Sequence, residues 1–149
     1  DASGMDIPFD YVDETATRIL IIDDEKPFAQ MVKSVISAEL PSVDIATTDD
    51  PYEGLLMIGE QKPHLIILDV RIPKVDGLQV LELLQKRKVQ SGTKILVVSN
   101  HINGDTKAKL LRSAADAVLD KQVDVGLLVK TVGALIRSDI PVQEQELVR

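Results

Sequence analysis

Five short apolar runs alternate with five amphipathic segments along this chain, and the alternation limits the folds it can adopt. Most of the runs are continuously apolar, as expected for parallel strands that are covered on both faces. The predicted strands are Arg18–Ile22, Val43–Thr47, His64–Leu68, Lys94–Val98 and Ala117–Leu119. Strands that alternate with helices in this way favour a parallel α/β sheet.

The segments that follow the strands carry apolar residues at helical spacing. The predicted helices are Pro27–Glu39, Tyr52–Gln61, Leu78–Lys88, Gly104–Ser113 and Val125–Arg137. Asp50 and Pro51 give the second helix a capping acid and a proline in its first turn. Because crossovers between parallel strands are right-handed, few topologies remain. The simplest is α/β, a single doubly wound five-stranded parallel sheet in the order 2-1-3-4-5, flavodoxin-like, with five helices.

Length and composition predict one domain with short extensions. Of the 149 residues, 1–17 read as a flexible leader, 18–138 as the folded domain and 139–149 as a tail or the start of a linker. The absence of cysteine excludes disulfides, thiolate metal sites and thiol nucleophiles. A net charge of −7 argues against direct nucleic-acid binding by this domain. No apolar run approaches the roughly 20 residues that a membrane span needs, so no membrane association is expected.

Carboxylates follow two of the predicted strands. Asp23 and Asp24 come directly after the first strand, and Asp69 comes directly after the third. In the predicted order these strands are neighbours, about 4.8 Å apart, so the three side chains should converge at the edge where such sheets bind ligands. Three adjacent carboxylates repel each other unless a cation or a proton intervenes. Mg²⁺ takes oxygen ligands of this kind, and a carboxylate is also a competent nucleophile for an aspartyl phosphate.

A hydroxyl and an ammonium group join the same edge. Ser99 comes directly after the fourth predicted strand and Lys121 comes just after the fifth, and both can bind a phosphoryl group. Each residue alone has a plain structural explanation: Asp69 as a turn former, Asp23 and its neighbours as charge at a helix N-terminus, Lys121 as a solvated lysine. Their conjunction at one edge is what predicts a phosphoryl-transfer site.

These residues, in this order and spacing, resemble the receiver domain of two-component response regulators (the CheY-like superfamily). The resemblance covers about Arg18 to Arg137. Asp23 and Asp24 match the family's acidic pair, Asp69 its phosphoacceptor, Ser99 its hydroxyl position and Lys121 its lysine. The spacing of Pro73, Asp76 and Gly77 after Asp69 also fits the family's loop into the third helix.

The resemblance implies a metal site and a phosphate-binding site. Mg²⁺ would bind Asp24, Asp69 and the backbone carbonyl of Arg71 directly, with Asp23 acting partly through water. The phosphate-binding and switch residues would be Ser99, Asn100 and Lys121.

The resemblance also implies a signalling role and not that of an enzyme. A histidine kinase or phosphotransfer protein would donate the phosphoryl group to Asp69. Phosphorylation would then remodel the face formed by the fourth helix, fifth strand and fifth helix, which regulates an unknown output partner or domain. A cytoplasmic location and a phosphorylation-dependent dimer are compatible with this role. A single-domain regulator and a part of a longer protein both remain open.

Four positions depart from the family pattern. Val118 stands where an aromatic switch residue is usual, which predicts a switch that does not depend on ring rotation. Gln122 stands where Pro with a cis bond is common, and a trans bond is expected because cis costs about 3 kcal/mol before other residues. Asn100 replaces a small residue beside the hydroxyl and is expected to narrow access to the phosphate. Ala114 replaces a common Gly.

Two other classes of protein are alternatives to this interpretation. A haloacid-dehalogenase-type, aspartyl-nucleophile Mg-dependent phosphatase needs a second acid two residues after its nucleophile, where this chain has Arg71. A flavin or nucleotide module of the same topology would favour a Gly-rich loop after the first strand. The loop here is acidic, Asp23 to Glu25, and would repel a phosphate.

Overall fold

The structure, a computed structural model, describes residues 16–40, 42–71, 79–85 and 92–137. Within these ranges the chain forms five strands: β1 (Thr17–Ile22), β2 (Val43–Thr48), β3 (Leu65–Leu68), β4 (Lys94–Ser99) and β5 (Ala117–Asp120). They pair in parallel as one sheet in the order β2-β1-β3-β4-β5. The predicted doubly wound topology is confirmed.

Helices connect the strands and follow the last one. They are α1 (Lys26–Glu39), α2 (Pro51–Gln61), α3 (helical over residues 79–85), α4 (Gly104–Arg112) and α5 (Val125–Arg137). The predicted bounds agree with these to within one residue for every element whose two ends lie in the described ranges. Across the described ranges, none of the helices has the length and apolar character needed to cross a membrane.

Some predictions fall on residues outside the described ranges. They concern most of the leader, the tail, both ends of the third helix and the loop residues Pro73, Asp76 and Gly77. The predicted trans bond before Gln122 lies inside the ranges and is confirmed, since the described residues contain no cis peptide bond.

Both faces of the sheet are buried. Helices α1 and α5 cover one face, and α2, α3 and α4 cover the other. Alternate residues of β1 divide between the two cores: Ile19 and Ile21 point to the first, Leu20 and Ile22 to the second. This double coverage is why β1, β3, β4 and β5 are largely apolar without alternation, whereas the edge strand β2 includes the exposed Asp44.

Side-chain caps begin two of the helices that leave the carboxyl edge of the sheet. Asp50 Oδ1 accepts a hydrogen bond from the backbone N–H of Tyr52 at 2.9 Å, as its position before Pro51 predicted. Asn103 caps α4 in the same way, through Thr106 N–H at 2.8 Å. The caps fix where each loop ends and its helix begins.

Strand register brings the predicted site residues together. In the β1–β3 pair, Ile22 lies beside Leu68, so the residues that follow each strand leave the sheet side by side. Asp69 N–H donates to the carbonyl oxygen of Ile22 at 3.0 Å, which extends the pairing one step beyond the strands.

Candidate functional site

Three carboxylates converge at the carboxyl edge, as the strand order predicted. Among the described residues, Asp23, Asp24 and Asp69 each offer an oxygen, and these oxygens lie within 4.8 Å of one another. Asp23 and Asp69 are only 3% and 5% exposed, whereas Asp24 is exposed. We call this group the acidic site. It is a set of hard oxygen donors, open to solvent on one side, that can hold a metal ion.

The ammonium group of Lys121 lies against the acidic site. Its Nζ is 2.8 Å from Asp23 Oδ2 and 2.9 Å from Asp69 Oδ2. The Lys121 side chain is 4% exposed, so it is not the solvated lysine of the plain structural explanation. Its backbone N–H donates to the carbonyl of Ser99 at 3.0 Å, which ties the end of β5 to the end of β4.

Both carboxylate oxygens of Asp69 are held by hydrogen-bond donors. The fully buried Ser99 donates from Oγ to Asp69 Oδ1 at 2.5 Å, and Arg71 N–H donates to the same oxygen at 2.8 Å. Lys121 donates to Oδ2. The carboxylate is therefore oriented by groups from three different strand ends, and positive charge lies beside it.

Burial shapes the charge of the site. It raises the pKa of Asp23 to about 6, although hydrogen bonds from Lys121 and from Glu25 N–H act to lower it; the neighbouring Asp69 charge raises it further. Burial alone would lower the pKa of Lys121, but hydrogen bonds to Asp23, Glu25 and Asp69 outweigh it and raise that pKa. Lys121 therefore stays charged, while the charge of Asp23 is incompletely balanced by its surroundings. A cation bound beside Asp23 would favour its ionised form.

Arg71 connects the end of β3 to residues 100–103, which we call the β4–α4 loop. Its Nη1 donates to the carbonyl of Asn100 at 3.0 Å and more weakly to that of His101 at 3.5 Å. His101 has a φ of 57°, in the left-handed region that a residue with a side chain rarely adopts. The loop beside Ser99 is thus held by a side chain that starts two residues after Asp69.

Three departures from the family pattern, at Val118, Ala114 and Asn100, lie within the described residues. Val118 is buried in the core between the sheet and α2, α3 and α4, as is Ala114. Neither offers a ring beside the acidic site. Asn100 is half-buried, and its Nδ2 lies 3.4 Å from Glu25 Oε1.

Sequence reasoning missed two residues that contact Lys121. Glu25 was interpreted as helix-terminal charge; it does occupy the N-cap position of α1, but its side chain makes no capping hydrogen bond. Its Oε1 instead lies 2.5 Å from Lys121 Nζ. The ring centroid of Phe28 lies 4.6 Å from the same nitrogen, a cation–π distance. Because Glu25 directly follows the acidic pair in sequence, its place near the acidic site could have been predicted. The apolar pattern gave no indication that Phe28 would contact Lys121.

Comparison with known proteins agrees with this geometry. The sequence profile of the family described as "Response regulator receiver domain" matches residues 19–133. The chain belongs to the family of response-regulator receiver domains, the signalling modules of two-component systems.

Curated relatives show the same family at moderate identity. The transcriptional regulatory protein DegU of Brevibacillus brevis is 28% identical over 121 residues, which cover 81% of this chain and 50% of that protein. The response regulator MprA of Mycobacterium avium is 30% identical over 131 residues, which cover 88% of this chain and 56% of that protein. The chain thus spans about half the length of the curated relatives it matches.

Solved structures share the fold. A CheY-like response regulator receiver domain protein from Methanospirillum hungatei superposes with a TM-score of 0.73 at 24% identity, covering 88% of this chain and 98% of that one. The receiver domain of a DNA-binding response regulator from Colwellia psychrerythraea gives 0.75 at 21% identity, covering 81% and 98%. At these identities the likeness concerns the fold alone.

Proposed function

We propose that this chain is a phosphorylation-activated switch that accepts a phosphoryl group on Asp69 from a histidine kinase or phosphotransfer protein. The observation that carries the proposal is the environment of the Asp69 carboxylate. Ser99 Oγ, Arg71 N–H and Lys121 Nζ orient it, and the carboxylates of Asp23 and Asp24 lie beside it. A hydroxyl, an ammonium and a set of hard oxygen ligands are the groups that phosphoryl transfer uses.

The transfer makes one bond and breaks another. An Asp69 oxygen attacks the phosphorus of a phosphohistidine, so that an O–P bond forms and the P–N bond breaks. The electron pair of that bond stays on the imidazole nitrogen. Lys121 lies where it can neutralise charge on the phosphoryl oxygens, and Ser99 can turn its hydroxyl from Asp69 to one of them.

The acidic site fits Mg²⁺. Asp24, Asp69 and the Arg71 carbonyl would hold the ion, with Asp23 acting partly through water. Two observations support this fit: the oxygens of the acidic site lie close together, and burial leaves the charge of Asp23 incompletely balanced. When bound, Mg²⁺ supplies neutralisation of charge on the transferring phosphoryl group.

The surface through which the proposed switch would act on a partner is separate from the acidic site. DegU is named as a transcriptional regulatory protein, and the curated relatives are about twice as long as the part that matches. We infer that phosphorylation changes the face formed by α4, β5 and α5, and that this face controls an output partner or domain. With Val118 in place of a ring, the change runs through Ser99 and the β4–α4 loop.

Labelling by a small phosphodonor tests the assignment of Asp69. The chain is incubated with acetyl phosphate and Mg²⁺, and the modified residue is mapped by mass spectrometry. We expect one phosphoryl group on Asp69 and none on Asp69→Asn. Asp105→Asn, which removes an exposed acid from α4, should label like the unaltered chain. Undiminished labelling of Asp69→Asn would place the phosphoacceptor elsewhere.

The same preparation separates a switch from a phosphatase. A receiver should be labelled once and should not turn over p-nitrophenyl phosphate. The side chain of Arg71, which stands where such a phosphatase has its second acid, is engaged with the β4–α4 loop. Sustained release of p-nitrophenol that is lost in Asp69→Asn would instead support the phosphatase.

A further inference from the structure

The carboxylate of Glu25 accepts hydrogen bonds from two different loops through one oxygen. Its Oε1 lies 2.5 Å from Lys121 Nζ, at the end of β5, and 3.4 Å from Asn100 Nδ2, at the end of β4. Glu25 itself belongs to the loop after β1. Its side chain therefore reaches over the acidic site and joins the loops that border it.

One of the two donors to Glu25, Lys121, is also a donor that a phosphoryl group on Asp69 would need. Lys121 already contacts Asp69 Oδ2 at 2.9 Å, so an oxygen added to that carboxylate would lie next to its ammonium group. A phosphoryl oxygen there would be an anionic acceptor for the same ammonium group, and the family resemblance implies that Asn100 also takes part in phosphate binding. In the structure, the Glu25 carboxylate accepts from both residues.

We propose that Glu25 is an internal competitor for the phosphoryl group, which occupies Lys121 and Asn100 in the unphosphorylated chain and withdraws when Asp69 is modified. The inference rests on the proposed function and deepens it. Glu25 acts on the reaction through Lys121, which makes it a positioning residue. Its effect is to weaken phosphoryl binding and to give Lys121 a different partner in the unphosphorylated chain than in the phosphorylated one.

The surroundings of Glu25 allow its side chain to turn away from Lys121. Its side chain is 52% exposed, whereas the other carboxylates that hold Lys121, those of Asp23 and Asp69, are 3% and 5% exposed. No capping hydrogen bond ties the Glu25 side chain to α1. A phosphoryl group brings roughly two negative charges, which repel a carboxylate on the same lysine. Of these partners of Lys121, Glu25 is the one that can turn into solvent without exposing a buried charge.

Equilibrium binding of beryllofluoride, a phosphoryl mimic, tests the competition without any transfer step. Affinity is measured by calorimetry at saturating Mg²⁺ for the unaltered chain, Glu25→Gln and Glu25→Ala. We expect both variants to bind about three- to fivefold more tightly, the size of effect that a half-exposed ion pair can have. The initial rate of labelling by acetyl phosphate should rise in the same proportion.

Asp49→Asn is the matched control. It removes the same charge from a side chain that is 51% exposed, but Asp49 pairs with Lys26 and not with Lys121. A gain in Glu25→Gln that Asp49→Asn lacks supports competition at Lys121. Equal gains in the two variants would show a general effect of net charge and overturn the inference, as would weaker binding by Glu25→Gln.

The test also separates this inference from the proposed function. If the unaltered chain binds beryllofluoride and is labelled on Asp69, but the Glu25 variants match it, the competitor role fails and the switch stands. If the unaltered chain neither binds the mimic nor is labelled, the proposed function fails. Thermal unfolding of each variant shows whether a changed affinity reflects lost structure, and Glu25→Ala and Glu25→Gln must agree for the inference to hold.

Discussion

At the scale of single residues, Lys121 organises the site. Its ammonium group is almost fully buried, and it lies between carboxylates and against the ring of Phe28. A buried charge of this kind contributes little net stability compared with an apolar residue, but removal of one partner leaves the others uncompensated. The arrangement of the acidic site therefore depends on Lys121.

Replacement of Lys121 by Met tests this dependence. Lys121→Met keeps the length of the side chain and leaves the charges of Asp23 and Asp69 unbalanced, so we expect a loss of about 3 kcal/mol in the free energy of unfolding. Lys26→Met is the control, because Lys26 is 78% exposed and its pair with Asp49 should contribute at most about 1 kcal/mol. Urea unfolding without divalent cations measures both. Equal losses would mean that burial does not distinguish the two lysines.

The raised pKa of Asp23 predicts a pH dependence of stability. In the folded chain the Asp23 carboxyl group keeps its proton up to about pH 6. In the unfolded chain it loses that proton near its ordinary pKa of 3.8. Between these values the folded state binds more protons, so the contribution of Asp23 is present at low pH and is lost as pH rises through about 6. Thermal unfolding without divalent cations, compared between the unaltered chain and Asp23→Asn, should show the unaltered chain losing stability relative to the variant over this window. A constant difference across the window would contradict the assignment.

At the scale of elements, the β4–α4 loop is the part of the sheet's carboxyl edge from which we expect the largest response to the proposed modification of Asp69. It follows Ser99, it contains the left-handed residue His101, and Arg71 holds its carbonyl groups. The helix that follows, α4, buries Leu110 but is otherwise mostly exposed or half-buried. Elements with few buried contacts open most easily, and conformational switches draw on such elements.

Hydrogen exchange tests the hydrogen bonds from Arg71 to the β4–α4 loop. Beryllofluoride should change amide protection within residues 100–120 of the unaltered chain. Arg71→Ala should raise exchange in the β4–α4 loop even without the mimic, because the carbonyls of Asn100 and His101 lose their donor. Lys130→Ala, an exposed residue of α5, should leave that loop unchanged. Changes confined to α1 and α2 would place the response away from the β4–α4 loop and contradict this interpretation.

At the scale of the whole molecule, a two-sided core supports one charged edge. The sheet separates a core shared with α1 and α5 from a core shared with α2, α3 and α4. Both cores hold the strands in the register that brings the acidic site together. Because the site forms only in the folded chain, a cation that binds there should stabilise the whole fold by linkage.

Thermal unfolding with and without Mg²⁺ measures this linkage. We expect Mg²⁺ to raise the free energy of unfolding by about 2.7 kcal/mol at a free concentration one hundred times its dissociation constant. Asp24→Asn should reduce the effect more than Asp23→Asn, since Asp23 is proposed to act partly through water. Undiminished stabilisation of the double variant would place the metal outside the acidic site.

Local sequence patterns were enough to predict the element order, the sheet topology and the positions of the acids. Continuous apolar runs indicated strands buried on both faces, Asp50 and Pro51 marked a helix start, and the strand order brought Asp23 and Asp69 together. Tertiary structure alone decided which side chains meet across the edge. Glu25 and Lys121 are 96 positions apart and Arg71 and Asn100 are 29, and their contacts depend on how separate loops fold over the site. The periodicity of apolar residues cannot predict such contacts, because they depend on side-chain direction and loop geometry. The apolar pattern determines neither of these.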